Sequence, residues 1–249
     1  MVEEKIFNKI NLFIMDDYGE MCKFAADFIL KLANYRNHMN LLMPAGTTPV
    51  GIYKLLSAQP EYYFNRFCFW NMDEYCIENN GSYDLISSND QRSFRKYMNL
   101  NFTGDFKNID NRFPTIENIV MPGYYDQRIN NCGGLDLCIN AMGEDGHTFG
   151  FNFPGVSFDS LTRLVNVNSA TKDVNRGLTG FETPSYAITT GIKTGMSARQ
   201  ILFLVSGKRK ADILHKVVYG PITEDVPATI LRKHKNCIWL VDKEASSKL

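Results

Sequence analysis

The sequence predicts an α/β fold with a mostly parallel central sheet of about seven strands. Short apolar runs recur along the 249 residues, and stretches with apolar residues every three or four positions lie between them. Within the runs the apolar residues are continuous rather than alternating with polar ones, as in strands buried on both faces of a parallel sheet. We therefore expect helices on both faces of the sheet.

The seven predicted strands cover residues 11–15, 39–43, 67–72, 135–141, 186–190, 201–206 and 236–241. Helices are predicted over residues 16–34, 49–56 and 208–219. The second of them has Pro49 in its first turn, which favours Thr48 as its N-cap. Because parallel sheets bind ligands at the carboxyl ends of their strands, functional residues are expected directly after the apolar runs.

The composition narrows the classes of function. Lys plus Arg and Asp plus Glu both number 27, so the formal net charge is zero, which argues against nucleic-acid or membrane binding through bulk electrostatics. No apolar run approaches the roughly 18–20 residues of a membrane span, and the N-terminal residues lack an apolar signal core, so a cytoplasmic location is predicted. Six cysteines without a CxxC pair, and four histidines without metal-ligand spacing, predict reduced thiols and no metal site.

No linker divides the chain, so a single domain over residues 1–249 is predicted. Residues 156–183 are polar, long and weakly periodic. Long loops in compact domains often serve a binding site, which favours a mobile flap here. A peripheral hairpin is the alternative.

The first candidate motif, Met-Pro-Ala-Gly-Thr-Thr-Pro, lies between a predicted strand and a predicted helix. Gly46 permits close approach of the backbone, Thr47 and Thr48 offer hydroxyls, and the helix N-terminus offers free N–H groups. This combination suits a phosphate group. An ordinary strand-to-helix turn is the alternative.

The second motif, Asn-Met-Asp-Glu-Tyr, directly follows Phe-Cys-Phe-Trp at the end of the third predicted strand. Asp73 and Glu74 are adjacent acids at the end of a buried strand, where a carboxylate is costly unless it is solvated, paired or used. Their side chains should diverge, which leaves one of them to act as a general base in a cleft. A surface turn is the alternative.

The third motif, Gly-Glu-Asp-Gly-His-Thr, follows the strand predicted at 135–141. Asp145 stands two residues before His147 and can accept a hydrogen bond from the imidazole, which fixes its tautomer and leaves the other ring nitrogen for acid–base chemistry.

The fourth motif is Ser-Gly-Lys-Arg-Lys-Ala. Its three cations, Lys208, Arg209 and Lys210, lie at the start of the helix predicted at 208–219, where the helix dipole disfavours them. A bound anion would compensate for this placement, and a solvated basic turn is the alternative. Arg163 and Arg176, in the predicted flap, are further candidates for phosphate ligands.

These four motifs, in this order, resemble those of the glucosamine-6-phosphate deaminase and 6-phosphogluconolactonase superfamily. The resemblance extends from Asp17 to about Ala245 and includes the C-terminal stretch V-P-A-T-I-L-R-K-H-K-N-C-I-W-L-V-D-K-E-A. It implies a single Rossmann-like, doubly wound domain without a metal or organic cofactor. The partner would be a small-molecule sugar phosphate. Isologous homo-oligomers are common, but the sequence shows no surface signature of one.

The resemblance also implies roles for individual residues. His147, oriented by Asp145, would open the sugar ring, and Asp73 would then carry a proton between C2 and C1. An amino sugar such as glucosamine or galactosamine 6-phosphate would yield a ketose 6-phosphate and ammonia. The phosphate would be held by Gly46, Thr47, Thr48, Arg176 and Lys210.

The sequence departs from the deaminase pattern after the histidine. Deaminases of this superfamily usually have D-G-H-x-x-F-N-E-P, whereas this chain has one extra residue and Phe153 in place of the glutamate. A phenyl ring cannot accept the proton of an imidazole or stabilise its charged form, as a carboxylate can. Other features resemble 6-phosphogluconolactonases, although Tyr75 stands where those enzymes usually have arginine. Two alternatives therefore accompany the deaminase: a lactonase, and a sugar-phosphate-binding protein without activity.

Overall fold

The computed structural model describes residues 2–7, 10–104 and 106–249. Within them the strands are β1 (Glu3–Phe7), β2 (Ile10–Met15), β3 (Met39–Met43), β4 (Phe67–Asn71), β5 (Asp73–Asn79), β6 (Ser82–Leu85), β7 (Asp110–Arg112), β8 (Leu137–Ala141), β9 (Arg163–Asn166), β10 (Tyr186–Thr189), β11 (Gln200–Val205) and β12 (Cys237–Asp242).

Eight of these strands form the central sheet, in the order β1-β2-β12-β11-β8-β3-β4-β7. All neighbouring pairs are parallel except β1 with β2. The predicted fold class is confirmed, with eight strands instead of about seven. The sequence did not reveal β1 and β7 because they are edge strands of mixed or polar composition, E-E-K-I-F and D-N-R.

A second, antiparallel sheet has the order β6-β5-β10-β9. The apolar run at 186–190 belongs to this sheet as β10, so its assignment to the parallel sheet is wrong. Ala187 and Ile188 are fully buried, and such a run looks the same in either kind of sheet. The chain passes from β4 to β5 through Met72 alone, whose N–H donates to Met43 O and whose carbonyl accepts from Thr190 N–H.

The described helices are α1 (Tyr18–Tyr35), α2 (Val50–Ser57), α3 (Phe94–Met98), α4 (Glu117–Val120), α5 (Tyr124–Asn131), α6 (Ser169–Thr179), α7 (Ile192–Met196) and α8 (Ala211–Tyr219). Helix α1 begins after Asp17, whose carboxylate accepts from Glu20 N–H. The N-cap assignment of Thr48 is wrong, because Pro49 precedes α2 and no side chain caps it.

Apolar clusters cover both faces of the central sheet, as predicted. One contains Trp70, Phe203 and Trp239, and the other contains Phe69 and Leu204 together with the buried residues of α1 and α2. Full burial of each such side chain contributes about 1.5–3 kcal/mol. These layers fix the carboxyl ends of the parallel strands along one edge.

The segment predicted as a flap, residues 156–183, contains both β9 and α6. It is therefore neither a structureless loop nor a hairpin, and its mobility stays a prediction. All six cysteines are free thiols. Among the described residues, no group of three or more His, Cys, Asp or Glu side chains could hold a metal ion, and no helix is long and apolar enough to cross a membrane.

Candidate active site

Tyrosine hydroxyls bind the backbone of the loop at 44–48, between β3 and α2. They donate to its backbone carbonyl oxygens, from Tyr18 to Thr47 and Thr48 (3.1 and 3.0 Å), from Tyr53 to Pro44 (2.5 Å) and from Tyr97 to Gly46 (2.6 Å). Burial raises the pKa of Tyr18 to about 12, so this donor stays protonated at neutral pH. The loop therefore has a fixed backbone.

The opposite side of this loop presents N–H groups. No acceptor within the described part of the chain binds the N–H of Gly46, Thr47 or Thr48, whereas their carbonyls are occupied. Gly46 has a φ of +113°, a conformation that glycine adopts without strain. With α2 starting directly after the loop, these amides form a cradle suited to an anion.

Asp73, the first residue of β5, is buried at the carboxyl end of the central sheet. Its Oδ1 accepts a 2.5 Å hydrogen bond from the hydroxyl of Thr189. Burial and, to a smaller extent, the charge of Glu74 together raise the pKa of Asp73 to about 7, against the lowering effects of the Thr189 hydroxyl and the Phe151 N–H. A carboxyl with this pKa can both take up and release a proton near neutral pH.

Glu74 points away from Asp73, as the sequence predicts for adjacent residues of a strand. Its carboxylate accepts from the hydroxyl of Ser93 and from the N–H groups of Phe94 and Arg95, and it pairs with the Arg95 guanidinium at 2.9 Å. Glu74 thus holds the start of α3. The alternative of a surface turn is wrong, because both acids are buried.

His147 lies in the loop after β8. Its Nδ1 is 2.6 Å from Asp145 Oδ1, the hydrogen bond that the sequence predicts. Burial alone would raise the pKa of Asp145, but the hydrogen bond and charge of His147 outweigh it and lower this pKa to about 2. The second ring nitrogen of His147 is left for a ligand.

Lys210 lies next to the same loop. Its Nζ donates to Met142 O at 2.8 Å, and burial lowers its pKa while the charges of Glu144 and Asp145 oppose that effect. Lys208 and Arg209, by contrast, are exposed. Of the three cations in the fourth motif, Lys210 is the one that the fold brings to the strand ends.

The loop after β8 also reaches Asp73. The N–H of Phe151 donates to Thr189 Oγ1 at 2.9 Å, and this hydroxyl donates to Asp73. A Cβ atom on Gly150 would collide with both oxygens, so only glycine allows the loop to pass this closely. Asp73 and His147 are thereby brought to one edge of the sheet, on either side of β3.

The family model described as glucosamine-6-phosphate isomerases/6-phosphogluconolactonase matches residues 17–239. The chain belongs to this family.

Individual members of the family cover nearly the whole chain. Glucosamine-6-phosphate deaminases of Clostridium botulinum (strain Kyoto / Type A2) and Clostridium acetobutylicum are 33% and 34% identical over 251 residues, which span 96% and 94% of this chain and 99% and 98% of theirs. A solved structure described as a monomeric glucosamine-6-phosphate deaminase has a TM-score of 0.83 at 31% identity, covering 96% of this chain and 99% of its own. The 6-phosphogluconolactonase from Trypanosoma cruzi has the same fold, with a TM-score of 0.75 at 16% identity and 95% coverage of both chains.

Phe153, which departs from the deaminase pattern of this family, packs against His147 with ring centroids 5.2 Å apart. Phe151, Tyr75 and Phe94 continue this row of rings. The nearby Glu144 does not replace the missing carboxylate, because it pairs with Arg209 at 3.3 Å. His147 therefore has one carboxylate partner, Asp145, among the described contacts.

Arg176 is a predicted phosphate ligand that the structure does not bring to the cradle. Its guanidinium is exposed on α6 and pairs with Asp173 and Glu182 at 2.9 and 3.1 Å. No described contact joins it to the loop at 44–48. The other flap arginine, Arg163, donates to Asn152 Oδ1 at 3.0 Å and so lies beside the loop after β8.

A cavity of about 250 Å³ lies between the cradle, α3 and α6. Thr47, Tyr75, Phe94 and Leu178 are among the residues that line it. Asn175 of α6 also lines it and donates to the Tyr75 hydroxyl at 2.6 Å. The flap predicted at 156–183 contains α6, and Tyr75 belongs to the second motif, whereas α3 was not predicted at this site.

Proposed function

We propose that this protein deaminates and isomerises an amino-sugar 6-phosphate, with glucosamine 6-phosphate as the first candidate. The reaction converts the amino sugar and water into fructose 6-phosphate and ammonia. The observation that carries the proposal is the juxtaposition of a buried Asp73, whose pKa is raised to about 7, with the loop that holds the Asp145–His147 pair. The full-length similarity to deaminases supports it.

Substrate binding begins in the proposal with the phosphate. The free N–H groups at 46–48 and the hydroxyls of Thr47 and Thr48 receive its oxygens. Lys210 supplies the positive charge, and such a charge-assisted contact is worth about 1.5–3 kcal/mol. Arg176 would join only after leaving its two carboxylate partners, which makes its role dependent on movement of α6.

Ring opening is assigned to His147. Because Asp145 engages Nδ1, the other nitrogen, Nε2, faces the sugar and moves a proton between O1 and the ring oxygen O5. The product of this step is the open-chain aldehyde with its amine at C2.

Proton transfer between carbons is assigned to Asp73. Its carboxylate removes the proton from C2, the electron pair forms a C1–C2 double bond, and the C1–O1 π pair moves to O1, which takes a proton from water. The amine lone pair then forms a C2–N double bond while the C1–C2 π pair takes the proton of the Asp73 carboxyl at C1, and the nitrogen releases one proton to water. The resulting imine at C2 is hydrolysed, which forms the C2 carbonyl and releases ammonia. A carboxyl with a pKa near 7 suits both halves of this step.

Lactone hydrolysis is the second candidate function, and Phe153 favours it. Without the family glutamate, the histidine keeps a single carboxylate partner, which suffices to activate a water molecule on a lactone. This reaction needs no carboxyl with a raised pKa at position 73.

The two functions are separated by incubating the purified protein with glucosamine 6-phosphate, galactosamine 6-phosphate and 6-phosphogluconolactone. Ammonia and ketose phosphate, in equal amounts and lost in Asp73→Asn, support the deaminase. Lactone hydrolysis above the spontaneous rate, lost in His147→Ala but kept in Asp73→Asn, supports the lactonase. Saturable binding without any turnover contradicts both and leaves a binding protein.

The other features of the proposal stay predictions. They comprise a single domain with a mobile flap at 156–183, a cytoplasmic location, and chemistry by side chains without a metal or organic cofactor. A homo-oligomer also stays a prediction, while one solved relative is described as monomeric.

A further inference from the structure

Thr189 is a polar residue at the end of an otherwise apolar strand. It is the last residue of β10 and lies directly opposite Asp73 in the register of β5 and β10. Its side chain is fully buried. Nothing in the proposed reaction requires a hydroxyl at this place, so its contacts need an explanation.

Donor and acceptor can be assigned in each hydrogen bond of this hydroxyl. The N–H of Phe151 can only donate, so Thr189 Oγ1 accepts at 2.9 Å. Its own proton then has two acceptors, Asp73 Oδ1 at 2.5 Å and the carbonyl of Thr190 at 3.5 Å. The shorter bond to the carboxylate is favoured.

We propose that Thr189 is a positioning residue for proton transfer by Asp73. Its hydroxyl fixes Oδ1 of the carboxylate and joins it to the loop that carries His147, so that Oδ2 takes the substrate proton. This inference rests on the proposed function and deepens it, because it explains how the base keeps its orientation while its charge changes.

The ionisation of Asp73 is a second consequence of this contact. A donor to the carboxylate favours the charged form, so the Thr189 hydroxyl opposes the effect of burial on the pKa. The other titratable or charged groups on the elements packed against Asp73 are Glu74 and Tyr75 on β5, Arg163, which lies opposite Thr189 on β9, and His147, on the loop that reaches Asp73 through Gly150. Among these, Glu74 acts in the opposite direction, since its charge raises the pKa of Asp73.

The test compares pH profiles of kcat/KM for glucosamine 6-phosphate between pH 5.5 and 9. Thr189→Val keeps the shape and removes the hydroxyl. The acid limb of the pH profile, where activity falls as Asp73 becomes protonated, should move up by about one pH unit, because the carboxylate loses a charge-assisted donor. Activity should fall about tenfold at pH 6 and recover towards pH 9. The ionisations of the substrate affect all variants in the same way. The quantity compared is therefore the difference in the position of the acid limb between each variant and the wild type.

Two variants control for structure. Thr189→Ser keeps the hydroxyl and should keep the wild-type limb. Thr190→Val removes the neighbouring buried hydroxyl, which donates to Phe149 O at 3.1 Å and does not touch Asp73. It should lower stability without moving the limb. If Thr189→Val does not fold, Thr189→Cys replaces it, and its weaker donor should give a smaller shift in the same direction.

An unmoved limb in Thr189→Val, or in Thr189→Cys where Thr189→Val does not fold, overturns the inference while the proposed function stands. Absence of ammonia release by the wild type overturns the proposed function instead. The Thr189–Asp73 contact is then tested without substrate, by measuring the free energy of unfolding at pH 4 and pH 8. Thr189→Val should lose more stability between these pH values than Thr190→Val does, and equal losses contradict the contact.

Discussion

The anion cradle and the proton-transfer centre are built in different ways. The cradle is one continuous segment, the loop at 44–48 followed by α2, and tyrosine hydroxyls hold its carbonyls. The proton-transfer centre combines Asp73, His147 and Thr189, which come from three separate parts of the chain and from two sheets. The cradle should therefore tolerate single changes with graded losses of affinity, whereas the centre should lose nearly all activity when either reacting group, Asp73 or His147, is removed.

The largest effect is expected for Asp73→Asn. An amide cannot accept the proton from C2, so kcat should fall by at least about 10³-fold, within the range of general base catalysis. Binding of glucosamine 6-phosphate, measured by calorimetry, should be nearly unchanged. The matched control is Asp126→Asn, since Asp126 is also a buried carboxylate bonded to a threonine hydroxyl, that of Thr194, but lies outside the site. A comparable loss of kcat in the control would contradict the assignment.

In the same variant, Asp73→Asn, the free energy of unfolding should rise relative to the wild type, although kcat falls. The pKa of Asp73 is raised from 3.8 to about 7 in the folded state, so its burial is fully tolerated below pH 4 and costs stability as the pH rises through 7. Asp73→Asn removes this cost. Its advantage in free energy of unfolding over the wild type should grow by up to about 4 kcal/mol from pH 4 to pH 8. Urea denaturation at both pH values measures it, and an equal difference at both would refute it.

Lys210→Ala tests the proposed phosphate site beside the cradle. Loss of a charge-assisted phosphate contact of about 1.5–3 kcal/mol should raise KM by about 10- to 150-fold and leave kcat nearly unchanged. Lys208→Ala is the control, because this neighbouring lysine is exposed. An unchanged KM for Lys210→Ala would place the phosphate elsewhere.

Tyr97→Phe should have the smallest effect. It removes the hydroxyl that donates to Gly46 O, a contribution of about 1 kcal/mol, so KM should rise about fivefold at constant kcat. Tyr125→Phe removes a tyrosine hydroxyl that likewise donates to backbone carbonyls, those of Asn71 and Arg112. Steady-state kinetics of both should separate loop positioning from general stability, and equal values of KM would contradict the role of Tyr97.

The same contrast explains what could be predicted from the sequence. The cradle and the Asp145–His147 pair depend on residues close together in the chain, and the sequence indicated both. Thr189 gave no signal, because its importance arises from the pairing of β5 with β10. The second sheet was missed since β5, β6 and β9 are too polar to stand out as apolar runs, while β10 resembles a parallel strand.

Two residues show the limits of local reasoning. Thr48 has the right residue type and position for an N-cap, but its backbone carbonyl binds Tyr18 and Pro49 precedes the helix instead. Arg176 has the right charge for a phosphate ligand, but α6 presents it next to Asp173 and Glu182. Neither outcome can be derived from neighbouring residues, because each depends on how an element is oriented in space.

The single-residue passage through Met72 has a consequence for how insertions would act on this protein. Successive side chains of a strand point to opposite sides, so one residue added between Asn71 and Asp73 would exchange the directions of the two acids. The glutamate would then face the loop of His147, and the aspartate would face the start of α3. A change of length by one at this point would thus swap a structural carboxylate for a reactive one without altering the composition of the site.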